Sequence, residues 1–145
     1  MQFNPKMAFE PVHAQNAYQN EALRKQLEYL QHNSPYYKKL FAQHHVNIHN
    51  IKSLEDMKFI PTTSKSDMQE HNWEFLCVPD SQVKEYTATS GTMGKPVTIA
   101  LTENDLQRLA YNEQQSFLCA DGKPSDIYQL MLTLDRQFMA GMAYY

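Results

Sequence analysis

The sequence predicts an α/β fold, laid out in this chain as an α+β arrangement: N-terminal helices, then a β-hairpin with a Gly-rich tip, a helix and a buried strand. Three observations carry that reading. Leucines in the first third recur at helical spacing. Near Val83 the texture changes to runs rich in Val, Tyr and Thr. Between two such runs lies a turn-rich loop, Ser90 to Pro96, holding two of the chain's 4 glycines.

The elements follow in order. The first dozen residues, with Pro5 and Pro11, read as an irregular lead-in. From Ala14 to Gln31, Leu23, Leu27 and Leu30 fall on one helical face. Ser34 is placed to cap a second helix, and Pro35 suits its first position because a missing N–H costs nothing there. Tyr37, Leu40 and Phe41 give that helix an apolar face, with Tyr36 and Tyr37 expected to pack and hydrogen-bond at its start. Ser53 to Asp56 and Ser64 to Asp67 read as capping boxes of two short helices separated by Pro61. Trp73 to Val78 is apolar with little periodicity and can pack over either helix. Val83 to Thr89 reads as a strand. Val97 to Thr102 reads as a second, with Val97, Ile99 and Leu101 on one face. Thr102 to Asp105 opens a helix lined inside by Leu106, Leu109, Ala110, Phe117 and Leu118 and ended by Gly122. Asp126 to Thr133 reads as a buried strand, and Arg136 to Tyr145 as the start of another helix.

A chain of 145 residues fits one domain. Residues 1–82 are expected to form a mainly helical lead-in, and 83–145 to carry the hairpin. With 42% hydrophobic and 20% charged residues, a core of useful size is expected. Thirteen basic against sixteen acidic residues leave a net charge of −3, which argues against a general affinity for nucleic acid. The two cysteines, Cys77 and Cys119, form no Cys-x-x-Cys pair and read as buried thiols in a reducing cytoplasm. His13, His32, His44, His45, His49 and His71 form no H-E-x-x-H pattern and read as structural or solvent-facing, so no metal site is expected. The N-terminus lacks the apolar segment of a signal peptide. The longest apolar run, Phe138 to Tyr145, falls short of the ~20 residues of a membrane helix. The expectation is a soluble cytoplasmic protein with no membrane partner.

Chemistry concentrates in Thr89-Ser-Gly-Thr-Met-Gly-Lys-Pro96. Gly91 and Gly94 let the backbone turn tightly and approach a ligand closely. Successive N–H groups in such a turn form an anion-binding concavity. Thr89, Ser90 and Thr92 add hydroxyl donors, and Lys95 adds a compact positive charge. These are the groups a polyphosphate requires. The loop is not a Walker A motif: two residues rather than four separate its glycines, Pro96 replaces the metal-binding hydroxyl, and a strand rather than a helix follows. Ser90 has no recognisable His and Asp partners, so a nucleophilic role is unsupported. On composition alone, a flexible hairpin tip with a solvated lysine is the favoured reading.

The run Thr89 to Pro96 resembles the S-S-G-T-T-G-K-P loop of the adenylate-forming (acyl-CoA synthetase) superfamily. Leu27 to Tyr37 resembles the N-terminal helix and N-x-P-x-Y turn of the phenylacetate–CoA ligase-like subfamily, Phe59 to Lys65 its L-P-F-T-T-K stretch, and Thr102 to Asp105 its T-x-x-D helix opening. The resemblance implies the N-terminal part of a large AMP-binding domain, with a C-terminal lid domain absent. It implies a reaction in which a carboxylate attacks ATP to give an acyl-adenylate and pyrophosphate, after which coenzyme A takes the acyl group. ATP with Mg2+, coenzyme A and a carboxylic acid, an aryl-acetate by subfamily, are the implied ligands. Thr89, Ser90, Gly91, Thr92, Gly94 and Lys95 match the loop positions that hold the β- and γ-phosphates. Met93 departs from the usual Thr, which removes one hydroxyl but no backbone donor. The adenine and acyl sites fall in the remainder of the enzyme chain, so these 145 residues are expected to be inactive alone. The alternatives are a stand-alone nucleotide- or phosphate-binding module, or an interaction module that self-associates or pairs with a separate chain.

Overall fold

The computed structural model describes residues 5–89, 95–129 and 131. It divides into two compact units, Met1–Cys77 and Val78–Tyr145.

The first unit is helical. A 3₁₀ turn, Pro5–Phe9, leads into α1, Val12–Asn33. The helix starts two residues before the periodic leucines require, because the Pro11 carbonyl accepts from the N–H groups of Ala14 (2.8 Å) and Gln15 (3.1 Å). Leu27 is buried, and Leu23 and Leu30 pack beside it against a cluster completed by Phe41, Ile48 and Ile51. Burying each such side chain stabilises the fold by about 1.5–3 kcal/mol. Ser34 caps α2, Pro35–Gln43: its Oγ accepts from Tyr37 N–H at 3.3 Å and donates to the Glu74 carbonyl at 3.2 Å, with the residue fully buried. The expected face of Tyr37, Leu40 and Phe41 is the one turned inward. Tyr36 is buried too, stacked on Phe75 with ring centroids 4.0 Å apart, and Tyr37 Oη lies 3.3 Å from Thr63 Oγ1. The Trp73 to Val78 run thus reaches α2 through Phe75, while Trp73 is exposed.

α2 stops without a glycine. Val46 N–H donates to the Phe41 carbonyl (2.9 Å) and His45 N–H to the Ala42 carbonyl (3.2 Å), with His45 at φ 52°. These two bonds are a Schellman closure. Val46, just past it, packs against the core cluster.

Both capping boxes form, on different helices. Ser64 and Asp67 open α3, Lys65–Glu70, through bonds of 2.7 Å (Ser64 N–H to Asp67 Oδ2) and 3.2 Å (Asp67 N–H to Ser64 Oγ). At Ser53 the helix is 3₁₀, Leu54–Phe59, rather than α. Pro61 explains this: it biases the residue before it toward extended backbone, and Ile60 sits at φ −95°, ψ 128°, its N–H closing the turn onto the Met57 carbonyl at 3.0 Å.

In the second unit, a 3₁₀ turn, Asp80–Gln82, feeds β1, Val83–Ala88, which pairs antiparallel with β2, Thr98–Thr102. Glu85 faces Leu101 and Ala88 faces Thr98, while Val83 faces Thr102, so Lys84 forms a β-bulge. Val97, Leu101 and Thr87 are buried and Ile99 is half-buried. α4, Glu103–Cys119, opens on a third box: Thr102 N–H and Oγ1 both donate to Asp105 Oδ2, at 2.9 and 2.8 Å.

Three sequence expectations fail here. Leu106 and Leu109 are half-buried, but Ala110, Phe117 and Leu118, expected on the inner side, are exposed. A 17-residue helix spans about 26 Å and a five-residue strand about 17 Å, so α4 outruns the strand it packs on. The helix ends before Gly122. Asp121, at φ 59°, takes the left-handed position, and a second Schellman pair forms from Gly122 N–H to the Phe117 carbonyl (2.8 Å) and Asp121 N–H to the Leu118 carbonyl (3.1 Å). The expected strand from Asp126 is absent over 126–129 and 131, where Ile127 is fully exposed. A strand needs a ladder partner, and among the described residues the sheet has two strands, β1 and β2. The expected helix Arg136 to Tyr145 lies outside the described residues.

Candidate phosphate-binding hairpin

β1 and β2 bring Thr89 and Val97 face to face at the mouth of the loop. Thr89 N–H donates to the Val97 carbonyl at 3.0 Å, and Val97 N–H donates to Thr89 Oγ1 at 3.0 Å. Val97 is 2% exposed, so the second strand is anchored directly after the loop. Lys95 and Pro96 are exposed at its end. Of the sequence-derived site residues, the structure places Thr89 and Lys95; Ser90, Gly91, Thr92 and Gly94 lie outside the described residues. The Thr89 hydroxyl accepts in the stem and retains its own proton for donation. The stem bond of Thr89 was not foreseen. Its signal is a hydroxyl residue at the last strand position before a loop, where side-chain bonds compete with the backbone ladder.

The six histidines singled out in the sequence belong to the first unit. His32 Nδ1 lies 2.7 Å from the Glu28 carbonyl, and His71 Nδ1 lies 3.3 Å from Glu74 Oε1. Among the described residues, no three His, Cys, Asp or Glu side chains gather as a metal site. The cysteines are free thiols but not both buried: Cys119 is exposed and Cys77 half-buried. Cys119 falls in the part of α4 that outruns the strand, which is why the buried-thiol expectation fails for it. Burial pushes the Cys77 thiol up. Four carboxylates of the first unit are held below their usual range, Glu21 among them through its hydrogen bond from Lys25. The Ser64 hydroxyl and N–H do this to Asp67, the backbone N–H groups of Lys52 and Ser53 to Asp56, and the Lys39 ammonium to Glu74. Among the described residues, no helix is long and apolar enough to cross a membrane.

No family model matches the chain. Among curated proteins, the phenylacetate-coenzyme A ligase of Thermus thermophilus is 31% identical over 125 residues, covering 86% of this chain and 28% of that protein. Those of Escherichia coli (32% over 111 residues, 76% and 25%) and Pseudomonas putida (32% over 116 residues, 79% and 26%) match similarly. Among solved structures, an open conformation of 2-hydroxyisobutyryl-CoA ligase in complex with 2-HIB-AMP and CoA superposes with a TM-score of 0.76 at 21% identity. That match covers 84% of this chain and 29% of that one. The same enzyme in the thioesterification state gives 0.68 at 23% identity, over 74% and 24%. At these identities the superpositions show a shared fold over the matched part of those chains. In sequence, the chain is similar to a segment of phenylacetate-coenzyme A ligases. It spans about a quarter of the length of the curated relatives it matches.

Proposed function

We propose that this chain is the N-terminal part of the large AMP-binding domain of an ATP-dependent acid–CoA ligase, with residues 1–82 as helical lead-in and 83–145 carrying the phosphate loop. The observation that supports it most is the anchored hairpin: a stem closed by Thr89 and Val97 on a segment whose curated relatives are phenylacetate–CoA ligases. In the first step, a carboxylate oxygen of the acid attacks the α-phosphorus of ATP. The bond to the bridging oxygen breaks, and pyrophosphate leaves. In the second, the sulfur of coenzyme A attacks the acyl carbon, its proton is lost, and AMP leaves. The loop holds the β- and γ-phosphates, which become the leaving group. Ser90 and Thr92 donate through hydroxyls, Gly91 and Gly94 through backbone N–H groups, and Lys95 offsets the charge, with Thr89 at the loop's edge. Mg2+ is assigned to the nucleotide's own phosphates, as is usual for this ion. The acid is a carboxylate of the aryl-acetate type. The adenine site, the acyl pocket and the C-terminal lid belong to the rest of the enzyme.

The test uses the complete ligase and acid-dependent exchange of pyrophosphate into ATP. Lys95→Ala is expected to lower kcat/KM for ATP on the order of ten- to a hundredfold, as loss of a charge-assisted bond requires, while sparing binding of the acid. An unchanged kcat/KM for ATP overturns the assignment of the loop.

A further inference from the structure

Thr89 departs from the ladder it terminates. In an antiparallel sheet, a hydrogen-bonded pair exchanges two backbone bonds. The register running from Glu85 and Leu101 to Ala88 and Thr98 continues to Thr89 and Val97. Thr89 N–H makes its regular bond to the Val97 carbonyl. The return bond from Val97 N–H goes to the Thr89 side chain, Oγ1, instead of the Thr89 carbonyl. The hydroxyl has taken the carbonyl's place. That substitution keeps the N–H of a residue that is 2% exposed from being orphaned.

We propose that Thr89 is a positioning residue for ATP use: by standing in for its own carbonyl, its hydroxyl fixes the point where the loop leaves the stem. This rests on the phosphate-binding reading of the loop. Lys95 lies two residues before Val97, so the stem bond also sets where that ammonium begins its reach. Without the hydroxyl, Val97 N–H either loses its acceptor or recaptures the Thr89 carbonyl. The second outcome lengthens the ladder by one bond and pulls the loop's first residue into the sheet.

The experiment compares Thr89→Val, which keeps the shape and loses the hydroxyl, with Thr89→Ser, which keeps the hydroxyl, in the complete ligase. Thr89→Val is expected to raise KM for ATP about tenfold, with KM for the acid unchanged, and Thr89→Ser to stay within about twofold of the parent. In the nucleotide-free enzyme, hydrogen exchange of peptides containing Val97 should be faster in Thr89→Val than in Thr89→Ser. Thr89→Ala provides the same comparison if the valine variant does not accumulate. Unchanged exchange in the hydroxyl-less variant overturns the proposal, as does an equal rise in KM for acid and ATP. Lys95→Ala, measured in parallel, separates the two readings. If it weakens ATP use and Thr89→Val does not, the positioning role fails; if neither does, the phosphate-binding reading itself fails.

Discussion

Asp121 and His45 occupy the left-handed position that ends a helix, at φ 59° and 52°, where glycine carries the least cost. The glycine beside Asp121 is required for a different reason. A Cβ on Gly122 would lie 2.6 Å from Tyr128 Oη and 2.8 Å from the Phe117 carbonyl oxygen. The carbonyl cannot yield, because it is the acceptor of the Schellman bond. Gly122→Ala is therefore expected to destabilise the hairpin-containing unit by about 1–3 kcal/mol. Asp121→Gly should stabilise it by up to about 1 kcal/mol, through relief of the left-handed backbone. Thermal melts of the two variants should move in opposite directions. Sequence reading located the end of α4 through Gly122 to within a few residues, yet assigned it the wrong job. The glycine's freedom was legible and its steric need was not, because Tyr128 reaches it only in the fold.

At the scale of elements, the hydroxyl–x–x–Asp boxes were the most legible feature, because both partners lie within three residues and no distant packing decides the bond. The boxes also carry a pH dependence. Asp67 is pulled below its ordinary range by hydrogen bonds in its box, Asp56 by the Lys52 N–H and then by its box, and Glu74 by Lys39. A depressed folded-state pKa contributes stability above the unfolded value, and that stability is lost as pH falls through the folded one. Resistance to urea should therefore decline between about pH 5 and pH 3. Asp67→Asn should flatten part of that decline, and an identical profile would remove the box from the account. The strand expected from Asp126 marks the limit of such reading. A short apolar run states that a segment needs burial, but a ladder needs a partner that the run does not name. For the candidate site, residue types and spacing were legible in Thr89 to Pro96; the side-chain bond to Val97 was not, because it links positions eight apart across a stem.

The molecule as a whole divides into two compact units between Cys77 and Val78. Large apolar side chains stay uncovered in both units: Phe9 and Trp73 in the first, Leu118, Ile127 and Met131 in the second. Uncovered apolar side chains favour association through the hydrophobic effect. The isolated 145 residues are expected to dimerise or aggregate in sedimentation experiments. A monodisperse, cooperatively melting monomer would favour a stand-alone binding module instead. The bulge at Lys84 bears on where the chain can tolerate a change of length. Every pair from Glu85 to Ala88 holds one register with Leu101 to Thr98, and only Val83, beyond the bulge, is out of step. A residue gained or lost ahead of Glu85 is absorbed at a place already out of register. The same change between Glu85 and the loop would swap the two faces of the strand and carry Thr87 out of the interior. An insertion beside Lys84 is thus expected to leave the hairpin register intact, whereas one between Glu85 and Ala88 is expected to break it.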